Sequence, residues 1–278
     1  MTKLWDKGYK LNSEIEKFTV GNDYLLDKNM IKWDVYGSIA HAAMLNKIGI
    51  LSKEEFQELK KCLIQILSLD KKGKFNISPQ DEDVHTAIEA YLTKKLGSLG
   101  KKIHAARSRN DQVLVDIRLY SKDKILEVQK EVLNLVMALI EIAKKYEFVP
   151  MPGYTHSRKA MPSSVGLYFS SFAESLIDSL GILNGAYELN DQCPLGSGAG
   201  YGLPLDVDRK YVSDLLGFGK VQNNSLYVQN SRGKIESAII FALSNIMSDL
   251  SRLANDLVIF SMEEFGYFAL PDEFCTGS

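Results

Sequence analysis

The sequence predicts an all-α protein with a helical N-terminal part and a long central helical bundle. Two observations carry this. Three stretches in the second half repeat apolar residues at spacings of three and four, the pattern of helices packed at shallow angles. And no alternation of strand and helix patterns occurs anywhere, so a doubly wound nucleotide-binding sheet is excluded.

Residues 1–22 are polar and irregular and end on a Gly21-Asn22-Asp23 turn signal. A helix is expected from Asp23 to Lys47, stopped by Gly49. Ser52 with Glu55 forms a capping box for a helix to about Leu69. Lys71–Lys74 is a solvated turn, and Lys74–Ile77 reads as a short strand. Asp81-Glu82-Asp83 opens a third helix, where acidic groups suit the positive end of the dipole, with a stop near Gly97 or Gly100. The long patterns follow. Ile125, Val128, Val132, Leu135, Leu139, Ile142 and Tyr146 mark the first. It runs from about 108 to 146, roughly 58 Å at ~1.5 Å per residue. Val165 to Tyr187 forms the second and Ile239 to Phe260 the third. The expected domains are 1–107, N-terminal and helical, and 108–278, the long-helix bundle.

Leu133, Val136, Met137 and Ile140 lie off the first seam, so that helix is buried on several sides. One chain cannot easily cover three such helices, and a homo-oligomer sharing its bundle is expected. Among the 278 residues, 45% are hydrophobic and 24% charged, a globular balance, and the net charge of −2 argues against nucleic acid as the main partner. The N-terminus carries no secretory signal pattern, and no apolar run approaches the ~18 residues of a membrane span. Cys62, Cys193 and Cys275 form no CxxC pair, which fits a reducing cytoplasm and no zinc site.

Four loops carry candidate chemistry. Ile103–Gln112 gathers Arg107, Ser108, Arg109 and Asn110 at a helix start, and fits either an anion site or a polar cap. In Pro150–Arg158, two prolines and a glycine fix the backbone before Thr155 and His156, and histidine exchanges protons near neutral pH. Pro194–Gly202 has glycine at every second position, without the strand a nucleotide cradle needs, and reads as a loop passing tightly between helices. The sequence ends on Thr276-Gly277-Ser278. Asp81, Asp83 and His85 form a lesser cluster, better suited to a helix cap than to a metal. His41, inside an apolar helix, reads as structural.

Taken together, Asp81–Ala87, Ser108–Gln112, Pro152–His156, Pro194–Gly198 and Thr276–Ser278 resemble the argininosuccinate lyase branch of the fumarase/aspartase superfamily across essentially the whole chain. Ser108-Arg109-Asn110-Asp111-Gln112 is the strongest discriminator within it. The resemblance implies a tetramer with a twenty-helix core and active sites shared by three subunits. It implies reversible cleavage of argininosuccinate to arginine and fumarate, without metal or organic cofactor. It assigns proton transfer to His156 and Ser278, in either order of base and acid. It places Asn110, Thr155, Arg109, Asp83, His85 and Arg232 around the substrate. The alternatives are another fumarate-releasing lyase, such as one acting on adenylosuccinate, and a non-enzymatic crystallin on the same fold.

The sequence departs from the family pattern in three places. Gly21 stands where a substrate-touching serine is common. Asn230-Ser231-Arg232-Gly233 keeps the arginine of Ser-Glu-Arg-Asp without its acidic neighbours. The Met-Pro-x-Lys-Lys-Asn run expected after Ser278 is absent, with the remaining bundle helices and a C-terminal domain, so the chain is expected to be truncated and nearly inactive as it stands.

Overall fold

The computed structural model describes residues 13–275, with side chains throughout except at Ser13, Glu16, Lys17 and Thr19. Asp23 starts a helix, but no single helix runs from it to Lys47. α1 (Ser13–Val20) and α2 (Asp23–Leu26) are separated by Gly21, whose φ of +52° breaks the helix. A 3-10 turn at Asp27–Asn29 follows, and α3 runs from Ile31 to Lys47. The turn is tied by tertiary contact, because Asp27 accepts the Val84 N–H at 3.0 Å.

α4 (Lys53–Asp70) begins at Ser52 with both arms of the capping box formed. It buries the stripe Leu59, Cys62, Leu63 and Ile66. Lys74–Ile77 is not a strand: it has no ladder partner, and it lodges Ile77 in the core. Ile77 and Phe75, side chains that strands favour, serve burial instead. α5 (Val84–Leu96) is capped by Asp83 and stopped by Gly97 at φ +59°, and α6 (Ser98–Lys101) follows. α7 (Arg109–Lys145) has 37 residues, roughly 55 Å of helix.

After α7 come β1 (Pro150–Thr155) and β2 (Arg158–Ser164), then α8 (Val165–Asn190). β3 (Gln192–Cys193), α9 (Arg209–Leu215), β4 (Lys220–Val221), α10 (Ser225–Asn230) and α11 (Lys234–Phe260) complete the order. β1 and β2 form an antiparallel hairpin where the sequence suggested only a loop. Three prolines in it remove the alternation and donors by which strands are recognised. β3 and β4 make a two-residue parallel bridge.

The chain divides into two compact units whose boundaries differ from the expected 1–107 and 108–278. The first runs to Lys122 and resumes over Asn190–Arg232. α3 is its central helix, buried on most sides, with Val35, Ala42, Met44 and Leu45 packed among Leu59, Leu63, Ile88 and Val115. Gly37 lets α7 approach, since a Cβ there would stand 3.2 Å from Val115. The second unit is Asp123–Leu189 and the chain from Gly233. Its core joins Ile125, Val132 and Leu139 of α7 with Leu176 and Leu183 of α8 and Ile239, Ile246 and Leu253 of α11. Ser175 and Ser179 of α8 both donate to Asp249 of α11 at 2.8 Å. Many apolar side chains of these helices stay outside that core, including Met137, Leu167, Phe241 and Met247, each more than half exposed. No helix among the described residues is long and apolar enough to cross a membrane.

Candidate active site

The start of α7 is built by its own polar residues. Ser108 donates its backbone N–H to Asp111 at 3.0 Å, and its hydroxyl accepts the Asn110 N–H at 3.2 Å. The second carboxylate oxygen of Asp111 turns the other way and accepts the N–H groups of Gly196 and Gly198 at 3.0 and 2.9 Å. The glycine-rich loop therefore folds around a buried carboxylate, and no nucleotide is needed to explain it. Gly196, Gly198, Gly200 and Gly202 all have positive φ. A Cβ on Gly198 would also stand 3.1 Å from the Gly202 carbonyl. Burial raises the Asp111 carboxyl above its ordinary range, against the lowering effect of those N–H groups.

Arg109 faces α5. Its Nη1 donates to both oxygens of Asp83, at 2.9 and 2.7 Å, and to Thr86 Oγ1 at 3.0 Å. Nη2 lies 3.7 Å from Glu89. Asp83 also caps α5 through the Thr86 N–H at 2.7 Å. In this arrangement the guanidinium spends its charge on carboxylates of its own chain and fixes the two helix starts together. Asn110 is exposed, and its carbonyl and side-chain oxygen accept from Arg232 Nη2 at 3.0 and 3.4 Å. That ties the head of α7 to the turn after α10, so Arg232 is positioned without the acidic neighbours common in the family.

Behind these residues lies a buried polar cluster that the sequence did not reveal. His85 is 4% exposed, and its Nδ1 lies 2.5 Å from Asp34 on α3. The same Asp34 oxygen accepts Gln112 Nε2 at 2.7 Å, and the other accepts Ser38 Oγ at 3.0 Å. Arg107 donates to Ser38 at 2.8 Å. Hydrogen bonds and charge from His85, with help from Arg107 and Gln112, overcome burial and hold the Asp34 carboxyl down at about 2. Asp116, one turn along from Gln112, has neither oxygen hydrogen-bonded. Burial and the Asp34 charge push it well above the usual carboxylate range. His41 bonds the Ala105 carbonyl at 2.8 Å and is held down to about 3 by burial, consistent with a structural role.

Asp34, His85 and Asp116 bring ligand-type atoms within 4.8 Å of one another. They do not suit a cation. Three donors already occupy both oxygens of Asp34, one of them the histidine nitrogen, and the Arg107 cation acts on both carboxylates. Asp34 and His85 read as part of a hydrogen-bonded network, with Asp116 packed beside them.

In the second unit, Thr155 ends β1, and His156 and Ser157 form the two-residue turn before β2, with Thr155 paired to Arg158. Both turn residues are left-handed, at φ +49° and +61°. Such turns ordinarily take Asn and Gly. A histidine there is strained and fully presented, and strain of this kind gathers at functional sites. Tyr154, just before it, is anchored by a 2.6 Å hydroxyl contact with Tyr267. So the first unit gathers Asp83, His85, Arg109, Asn110 and Arg232, and the second carries Thr155 and His156. Ser278 lies outside the described residues.

A lyase family profile matches residues 14–278. An argininosuccinate lyase from Thermotoga neapolitana is 47% identical over 276 residues, 99% of this chain and 69% of that protein. One from Bacteroides fragilis is 46% identical over 276 residues, and there the chain covers 62% of the relative. The chain thus spans roughly two-thirds of the length of these curated relatives. Among solved structures, an EDDS lyase variant with bound fumarate superposes with a TM-score of 0.78 at 27% identity, over 93% of this chain and 51% of that one. A fumarate lyase:delta crystallin from Brucella melitensis, bound to cobalt, gives 0.74 at 19% identity over 90% of this chain and 60% of that one, a likeness of fold alone.

Proposed function

Since the chain belongs to the lyase family, and within it to the argininosuccinate lyases, we propose that it serves the reversible β-elimination of argininosuccinate to arginine and fumarate. The observation that carries this reading is the identity of 47% along 99% of the chain. Ser108–Gln112, the segment that best separates this branch from its neighbours, lies within that span.

In the proposed reaction a base takes a proton from the carbon beside a carboxylate. The negative charge then spreads into that carboxylate and needs aimed donors. An acid protonates the departing guanidinium nitrogen. His156 and Ser278 are the proposed proton-transfer pair, with His156 held in its strained turn and its base or acid role open. Asn110 and Thr155 contact substrate, and Arg109, Arg232, Asp83 and His85 line the pocket. Because Arg109 is paired with Asp83, we assign it first to shaping the pocket wall and only through that wall to the substrate carboxylate. No organic cofactor or metal is invoked.

We further propose a homotetramer with active sites shared by three subunits. The half-exposed apolar residues of α7, α8 and α11 support it, because faces of this kind mark an interaction surface. A cytoplasmic location is proposed on the three free cysteines, two of them buried.

The reaction can be tested in reverse. Arginine and fumarate, incubated with the natural protein carrying this sequence, should yield argininosuccinate detectable by mass spectrometry. Formation of adenylosuccinate from AMP and fumarate instead would replace this reading with the other superfamily activity.

A further inference from the structure

His85 belongs to the proposed pocket, but nothing in the reaction as described uses Asp34, Gln112 or Asp116 behind it. We propose that Asp34 is a positioning residue that fixes the tautomer of His85.

The geometry carries this. Asp34 is 0% exposed and accepts from three side chains on three elements: Ser38 of α3, His85 of α5 and Gln112 of α7. A carboxylate is the one side chain of this size that accepts on both oxygens and donates from neither. His85 Nδ1 must therefore carry its proton toward Asp34, which leaves Nε2 as the ring nitrogen available to a ligand. A buried carboxylate orienting a histidine in this way sets which nitrogen can exchange a proton.

Asp116 packs beside the pair. Its Oδ2 is 3.7 Å from His85 Nδ1, and Asp116 is 1% exposed. A charge there is repelled by the Asp34 carboxylate and drawn by the Arg107 cation. The charged groups acting on the pair are Arg107 from the loop before α7, His85 from α5, and Asp27 from the turn before α3. Asp34 takes the three donors and Asp116 takes none of them. This agrees with the opposite directions in which the two carboxyls are shifted.

The inference adds a residue to the pocket and rests on the lyase reading for its kinetic arm alone. In Asp34→Asn, one oxygen becomes an amide that faces its former donors. The kcat for argininosuccinate should fall about 10- to 100-fold, and KM should change less. The wild-type protein supplies a second arm that does not depend on the variant folding. Imidazole ¹⁵N spectra should show a proton on His85 Nδ1, whether or not the protein turns over argininosuccinate. A proton on Nε2 and none on Nδ1 in the wild type would overturn the proposal. So would an unchanged kcat in folded Asp34→Asn. So would a stoichiometric divalent metal, found by elemental analysis of the wild type and lost in Asp116→Asn. A wild type that releases no fumarate yet shows the Nδ1–H ring would sink the lyase reading and leave the clamp standing.

Discussion

The carboxylate of Asp111 at the head of α7 accepts the backbone N–H of Gly198 at 2.9 Å. Through this bond and its neighbour to Gly196, a helix start and a glycine-rich loop more than eighty residues away become one structure.

Removing the carboxylate should therefore damage both. Asp111→Ala strands the N–H groups of Ser108, Gly196 and Gly198 in a buried setting. Each orphaned donor costs on the order of 1 kcal/mol or more, so a loss of about 3 kcal/mol is expected in urea unfolding. Gly198→Ala should cost roughly 1–2 kcal/mol, because φ is +64° and the added Cβ meets the Gly202 carbonyl. Variants as stable as the parent would remove Asp111 from this role.

The two buried aspartates should pull stability in opposite directions with pH. Asp34 is lowered to about 2 in the folded protein, so its contribution is present above its unfolded value near 4 and fades as pH falls toward 2. Asp116 is raised, so its contribution is present below about pH 4 and is lost as pH climbs toward its folded value. Asp116→Asn should accordingly gain stability relative to the parent as pH rises from 4 to 8. A constant difference across that range would mean that Asp116 does not titrate upward on folding.

The turn at His156 allows strain and chemistry to be separated. Ser157→Gly relieves a left-handed serine, and should raise stability by about 0.5 kcal/mol after the extra backbone entropy of glycine is charged against it. His156→Asn should fold well, because asparagine tolerates that conformation. If His156 transfers a proton, kcat should nonetheless fall by ~10²-fold or more. An asparagine variant with full kcat would remove His156 from the chemistry.

The parts of this molecule legible in its sequence are those with a strong local code. The Ser52–Glu55 box opens α4, and the three-and-four spacing locates α7, α8 and α11 to within a few residues, because one helix face must bury its whole stripe. The hairpin at 150–164 escaped because its prolines and polar residues erase a strand's alternation. Asp34 and Asp116 escaped for a different reason. A lone aspartate in a helical pattern ordinarily marks a solvated face, and only tertiary packing sets these two opposite each other. The unit boundary at Lys122 falls inside one unbroken helix, where no turn signal can mark it. Of the candidate site residues, His156 and the Ser108–Gln112 segment stood out through their flanking motifs. The partners of Arg109 and Arg232 are contacts between distant segments, which single-sequence patterns do not encode.

The most direct test of the account is fumarate release by the natural protein carrying this sequence, followed at ~240 nm, with argininosuccinate and adenylosuccinate compared as ratios of kcat/KM. The account predicts a rise in absorbance with argininosuccinate and a ratio favouring it by ~10³-fold or more, as expected where buried polar groups must match a substrate's guanidinium. No fumarate from argininosuccinate, or a ratio favouring adenylosuccinate, would contradict it.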